Sequence, residues 1–237
     1  MERRPRFRVM ALLAASTLAV FGFANAAPAS GGACRNGYVG LTYDDGPSET
    51  TSQLLAALRA HRLQATFFDQ GNNSLTRPDL VRAKLRAGMW VGNHTFSHPH
   101  LTQIDDAAAF QEIASTQWVL QDITGREPTL FRPPFGETDD QVRADAARIG
   151  VLEVLWTVDS RDWAGVSAAE IAAAASTLQP GGIILMHDWP PATIEAVPLI
   201  AKDLAARGLC AGRIVYTPEQ IPYGDTFFHA KAVRPGR

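Results

Sequence analysis

The segment His94-Thr95-Phe96-Ser97-His98 sets two imidazoles four residues apart. On a helical turn that spacing puts both rings on one side, where they can hold one cation. Alone it is a weak signal, because two surface or core histidines satisfy it equally well. Its weight comes from Asp44-Asp45-Gly46-Pro47, which follows the largely apolar run at residues 39–43. Asp-Gly-Pro by itself is an ordinary turn into a helix. Two adjacent carboxylates in one site, however, resist ionising together, and a cation relieves that cost. One of the pair would ligate the metal while the other takes a proton. Two histidines and one carboxylate leave positions for water and substrate, as a catalytic zinc-type site requires.

His187 closes the apolar run Ile183-Ile184-Leu185-Met186. A histidine at a strand end is usually structural. Here it would be the natural general acid, provided a carboxylate holds its tautomer and raises its pKa. Asp159, Asp162 and Asp188 all stand in position for that task, and spacing does not choose among them. Arg132, before Pro133-Pro134, is either a surface arginine or a fork that fixes a neighbouring base. A serine esterase is disfavoured, because the chain contains no Gly-x-Ser-x-Gly elbow. His100 and Asp69 read as structural, the latter as a strand-end cap that could also face the site. Trp189 divides evenly between stacking on a sugar ring and plain packing, while Trp90, Trp118 and Trp156 read as core.

These residues need a scaffold that brings them together. Short runs of aliphatic, aromatic and β-branched residues mark strands at 38–43, 65–69, 90–94, 130–132, 151–158, 182–186 and 213–216. They lack polar alternation, as strands covered on both faces do. Helical stretches lie between them, at 51–60, 78–87, 105–124, 138–148, 167–178 and 193–207. Ser-Ala-Ala-Glu from Ser167 is a capping box, and Gly88, Gly125, Gly150 and Gly208 follow helix ends. Repeated β-then-α units predict a parallel sheet with helices outside it, either an open doubly wound sheet or an incomplete barrel of about seven strands. All five polar clusters fall at the C-terminal ends of strands. In a barrel those ends converge on one face, whereas along an open sheet only those near the switch point meet. The barrel is the better expectation.

Composition fits an exported enzyme. Arg3, Arg4, Arg6 and Arg8 precede an apolar run at residues 9–23 and the small-x-small site Ala24-Asn25-Ala26. This reads as a secretory signal over residues 1–26, too short in its apolar part to span a bilayer, so no stable membrane association is expected. Its removal takes away four arginines and one glutamate and moves the formal charge from −2 to −5. Such a chain has no electrostatic footprint for nucleic acid, and a neutral substrate is expected. Cys34 and Cys210 are the only cysteines and, outside the cell, read as one disulfide. A single catalytic domain over residues 34–216, a short tail at 217–237 and a monomeric state complete the expectation.

Five motifs stand in order: Thr42-Tyr43-Asp44-Asp45-Gly46-Pro47, His94-Thr95-Phe96-Ser97-His98, Arg132-Pro133-Pro134-Phe135-Gly136, Asp159-Ser160-Arg161-Asp162-Trp163 and Leu185-Met186-His187. Together they resemble the polysaccharide deacetylases of the NodB-homology type, carbohydrate esterase family 4. The resemblance spans roughly residues 37–210 and is closest in look to secreted bacterial acetyl xylan esterases. It implies a distorted, incomplete (β/α) barrel. It implies Asp44 as general base, buttressed by Arg132, and His187 as general acid, tuned by Asp162. Asp45, His94 and His98 would hold the metal, Zn²⁺ first, with Co²⁺ or Ni²⁺ also able to bind. Trp163 and Leu185 would line the pocket for the acetyl methyl, and the Phe135 backbone N–H would help hold the oxyanion. The family more often carries Tyr at position 135, so a side-chain hydrogen bond to substrate is missing here. The implied activity is hydrolysis of acetyl groups on a polysaccharide. Acetyl esters of xylan come first, and N-deacetylation of chitin-like oligosaccharides or peptidoglycan is the alternative. Retention of every charged motif residue argues against an inert carbohydrate-binding module.

Overall fold

The computed structural model describes Met1, residues 34–215 and residues 232–234. The expected signal segment at 1–26 and most of the expected tail at 217–237 lie outside the described residues. The sheet is built from β1 (Tyr38–Gly46), β2 (Thr66–Asp69), β3 (Trp90–Asn93), β4 (Leu130–Phe131), β5 (Leu152–Glu153), β6 (Val158–Asp159) and β7 (Ile183–His187). Their order is β5-β4-β3-β2-β1-β7-β6, and every neighbouring pair is parallel. These seven strands curl into an incomplete barrel with helices outside.

β1 at the centre shows why the sequence folds this way. Val39, Leu41 and Tyr43 alternate toward the helices and are fully buried. They pack with Leu54 and Leu58 of α1 (Thr51–Ala60) and with Val197 and Ile200 of α7 (Pro191–Arg207). The alternate residues Gly40, Thr42 and Asp44 therefore face the barrel interior. A Cβ at position 40 would lie 3.2 and 3.3 Å from Ile183 and Ile214, closer than ordinary contact, so the position favours glycine. A second apolar cluster of Phe68, Leu130, Val154, Ile183 and Ile214 includes these two residues.

The expected strand at 151–158 is instead two strands, β5 and β6, at opposite edges of the sheet. Residues 154–157 cross the open seam: Val154 N–H bonds Phe131 O and Thr157 N–H bonds Ile183 O. The Val154 and Leu155 carbonyls accept from the Arg132 guanidinium, at 3.0 and 3.1 Å, rather than from a neighbouring strand. The run expected at 213–216 is not the seventh barrel strand either. It forms β9 (Arg213–Val215), antiparallel to β10 (Ala232–Arg234). β8 (Cys210–Ala211) pairs with the start of β1, and Cys34 is bonded to Cys210 with their Cα atoms 5.2 Å apart.

The remaining helices are α2 (Gly71–Thr76), α3 (Pro78–Arg86), α4 (Asp106–Thr124), α5 (Asp140–Ile149) and α6 (Ala168–Ala175). Ser167 forms the expected capping box with Glu170, and Gly125, Gly150 and Gly208 end their helices in the left-handed region. Trp118 is 61% exposed on α4, contrary to its expected core position. No helix among the described residues is long and apolar enough to cross a membrane.

Candidate active site

Consecutive residues of a regular strand point to opposite faces, so Asp44 and Asp45 should diverge. They do not, because the register of β1 against β2 shifts between Asp44 and Gly46 and Asp45 takes φ 69°. This bulge re-aims Asp45 toward the same site as Asp44. Gly46 is packed so tightly that a Cβ there would lie 2.2 Å from Asp188 Oδ2 and 2.5 Å from Lys84 Nζ. Asp45 Oδ1 accepts from Gln70 Nε2 at 2.8 Å, Oδ2 accepts from Trp189 Nε1 at 3.2 Å, and the Asp45 carbonyl accepts from Asn73 Nδ2 at 2.9 Å.

His94 and His98 converge, though not on a helical turn. The chain leaves β3 through a loop in which Thr95 and His98 have φ 62° and 64°. Glu112 of α4 clamps that loop by accepting from the N–H groups of Phe96 and Ser97 and from Ser97 Oγ. His94 Nδ1 donates to the Arg132 carbonyl at 2.6 Å, since a carbonyl can only accept. In the neutral ring the lone pair is then on Nε2, which lies 3.6 Å from Asp45 Oδ1, while His98 Nε2 lies 3.3 Å from the same oxygen.

One ligand atom from each of Asp45, His94 and His98 lies within 4.8 Å of the others. The donor chemistry fits a divalent cation. Burial and the neighbouring His94 pull the His98 pKa down, which favours the neutral imidazole a metal needs. Burial would raise the Asp45 pKa, but His94, His187, His98 and the Gln70 hydrogen bond together hold it below the usual value.

Asp44 is buried beside this group, its Oδ2 3.7 Å from His94 Nε2. Arg132, fully buried, spends its whole fork on the interior. Nη1 donates to Asp44 Oδ1 at 2.8 Å and to Thr42 Oγ1 at 2.7 Å, and Nε and Nη2 hold the seam carbonyls. The guanidinium also lies over the Phe68 ring, 4.3 Å from its centroid. The surface reading of Arg132 is thereby excluded.

On the opposite side His187 pairs in register with Asp44. Of the three carboxylates open to it, Asp162 is the partner: His187 Nδ1 donates to Oδ1 and the His187 N–H to Oδ2, both at 2.7 Å. Thr193 Oγ1 and the Trp163 N–H donate to the same carboxylate. Burial would lower the His187 pKa, but the Asp162 hydrogen bond and charge, with Asp44 and Asp45 behind them, raise it. Its Nε2 is left facing the site, 4.0 Å from Asp45 Oδ2. Leu185, two residues earlier on β7, shares its face. Trp163 and Phe135 are half exposed, and Phe135 stacks on His100 and meets His98 edge-on. His100 pairs with Glu137 at 2.9 Å rather than with the metal group. Asp159 accepts from the Arg161 N–H.

Sequence reasoning missed Lys84, which is fully buried on α3 and donates to Asp69 Oδ1 at 2.6 Å and Asp188 Oδ2 at 2.9 Å. Asp188 also accepts from Ser48, just before α1, and from Thr51 at its start, and its N–H bonds the Asp44 carbonyl. The triad thus ties the ends of β1, β2 and β7 together beneath the site. A signal existed: Lys84 lies three residues after Val81, on the buried stripe of its helix.

Comparison with known proteins agrees with this geometry. A family model described as polysaccharide deacetylase matches residues 32–154. The chain is 44% identical over 181 residues to a bifunctional xylanase/xylan deacetylase of Cellvibrio japonicus, covering 76% of this chain and 27% of that protein. It is 36% identical over 178 residues to the peptidoglycan-N-acetylglucosamine deacetylase PgdA of Listeria monocytogenes, covering 73% and 37%. The chain therefore spans well under half the length of these two relatives. A solved family 4 carbohydrate esterase from Streptomyces lividans, in complex with acetate, shares 48% identity with a TM-score of 0.75, over 82% of this chain and 98% of that one. The chain belongs to the polysaccharide deacetylase family, carbohydrate esterase family 4.

Proposed function

We propose that the protein is a metal-dependent hydrolase that removes acetyl groups from a polysaccharide, acting first on acetyl esters of xylan. The observation that carries this reading is the meeting of two groups around one carboxylate. Asp45 faces His94 and His98 on one side, with Asp44 on Arg132 and His187 on Asp162 adjoining. A divalent cation held by Asp45, His94 and His98, with Zn²⁺ the best match to the donors and Co²⁺ or Ni²⁺ also able to bind, supplies Lewis acidity for the acetyl carbonyl and for a water. Asp44 accepts the proton of the attacking water, with Arg132 fixing its rotamer. His187, protonated, gives a proton from Nε2 to the departing sugar oxygen or nitrogen as the acyl bond breaks. Its raised pKa supports that role, since more of the acid form persists at neutral pH. On this reading Trp163 and Leu185 line the pocket for the acetyl methyl, and the Phe135 N–H is an oxyanion donor. Export fits the Cys34–Cys210 bond, which persists in oxidising compartments.

The ester reading is supported by the xylan deacetylase relative, at higher identity than the peptidoglycan one. It also follows from chemistry, because an alkoxide leaving needs less help from His187 than an amine, and each 1.4 kcal/mol of barrier is about tenfold in rate. The second reading, N-deacetylation, is favoured by the peptidoglycan-N-acetylglucosamine deacetylase relatives. Matched acetate-release assays on acetylated xylan and acetylated chitooligosaccharides separate the two. Higher kcat/KM on xylan is expected, and the reverse order moves the assignment to the amide.

A further inference from the structure

His100 stands outside the metal group, yet its ring is the outer layer of a stack that ends on a metal-group histidine. The His100 and Phe135 rings lie face to face, their centroids 3.9 Å apart and their planes inclined by 10°. The Phe135 ring in turn meets His98 edge-on, at 4.6 Å. His100 is itself held, its Nδ1 2.9 Å from Glu137 Oε2, and Thr102 Oγ1 donates to the same oxygen at 3.4 Å. Glu137 directly follows the turn Pro134–Gly136 that carries Phe135. The contacts therefore close a circuit, from the metal loop across the rings to the turn and back. Phe135 needs such a circuit. It has φ 59° and ψ 3°, a left-handed conformation that is costly for a residue with a Cβ and persists only where its surroundings fix it. The turn is packed on one side, where a Cβ on Gly136 would lie 2.7 Å from Trp156. On the other side the Phe135 ring, half exposed, leans on His98 and His100. His98 has φ 64°, in the same strained region. Two left-handed residues thus share one stack of rings. One carries a metal-group imidazole and the other the N–H read as an oxyanion donor.

We infer that His100 is a positioning residue for the hydrolysis. Braced on Glu137, it holds the Phe135 turn with its N–H ready for the oxyanion and, through the Phe135 ring, limits the His98 imidazole to one orientation. The inference rests on the reading of the centre as a metal-dependent deacetylase. His100 moves no proton and ligates nothing in it; what matters is a ring in that place. The test measures kcat and KM on an acetylated xylohexaose and on 4-nitrophenyl acetate, which offers no sugar ring to contact. Competition with a chelator gives the zinc Kd apart from turnover. In His100→Ala kcat should fall about tenfold on both donors, less than the loss of a whole oxyanion donor, with KM little changed. The zinc Kd should rise about threefold. His100→Phe, which keeps the stacking face and gives up the Glu137 bond, should recover most of both. Glu137→Ala should show the same changes at smaller size, and it carries the test if His100→Ala does not fold. Adding Glu137→Ala to His100→Ala should cost nothing further, because the two act as one brace. Unchanged kcat at saturating zinc in both alanine variants would overturn the inference. So would a loss confined to a higher KM on xylohexaose, which marks a sugar contact instead. An unchanged zinc Kd in both would overturn the link to His98. Failure of the wild type to release acetate from any glycan would refute the deacetylase reading, and the zinc arm would still decide whether the stack orders the metal group.

Discussion

Replacing Lys84 by Met removes the cation between two buried carboxylates and leaves the shape of the side chain nearly intact. Lys84, Asp69 and Asp188 all have fully buried side chains, with contacts of 2.6 and 2.9 Å. Breaking such a group by deleting one partner costs roughly 3–5 kcal/mol, because the remaining charges stay buried without compensation. For a domain of this size that corresponds to a fall in Tm of about 6–20 °C. The two aspartates should not respond alike. Asp188 also serves Ser48 and Thr51, whereas Asp69 Oδ2 has no partner and burial pushes the Asp69 pKa up. Asp69→Asn should therefore be milder than Lys84→Met or Asp188→Asn and should offset part of the loss when combined with Lys84→Met. Burial would lower the Lys84 pKa, but Asp69 and Asp188 raise it above the ordinary ammonium value. A raised folded-state pKa gives stability that is fully present below the unfolded value and lost as pH rises through the folded one. Wild type should thus lose stability at strongly alkaline pH in a step that Lys84→Met lacks. Urea unfolding of the single and double variants, followed by circular dichroism, measures these terms. A loss below about 1 kcal/mol for Lys84→Met, the size of a surface ion pair, would refute the reasoning.

Three further outcomes follow from the site. Asp44→Asn should abolish turnover and keep the metal, whereas His94→Ala and His98→Ala should lose both; elemental analysis beside acetate release reads this, and metal-free Asp44→Asn would reverse the roles of the two aspartates. Asp162→Asn removes the main influence raising the His187 pKa, so the alkaline limb of the kcat profile, where the acid form disappears, should move to lower pH; an unmoved limb would show that His187 is not the acid. Cys34→Ser with Cys210→Ser opens a link spanning 176 residues and should cost about 2–5 kcal/mol in chemical unfolding, with little change in kcat.

The polar residues of the candidate site are concentrated at strand ends, and so most of their grouping is legible in the amino-acid sequence. Asp44, Asp45, Arg132 and His187 each follow an apolar run that forms a strand, and parallel topology brings those ends together. Local rules also serve well where one residue carries them, as with Ser167 at its capping box and Gly125 at its helix end. What sequence reasoning misses depends on non-local geometry. Two positive φ values, not a helical turn, bring His94 and His98 together. The run at 151–158 breaks because Arg132 takes two of its carbonyls, an interaction with a residue some twenty positions away. Trp118 shows that an aromatic residue on a long helix need not face the core. Lys84 reads as an ordinary helix lysine until Asp69 and Asp188 are seen around it, since burial of a charge is decided by partners distant in sequence.

The central claim is that this site hydrolyses acetyl groups on a glycan by metal-assisted acid–base chemistry. The most direct test is acetate release from acetylated xylan by metal-loaded wild type, by the same preparation after chelation, and by Asp44→Asn of equal metal content. The account predicts steady release only in the first, restored to the second by adding back a divalent cation. Equal release from all three would contradict it.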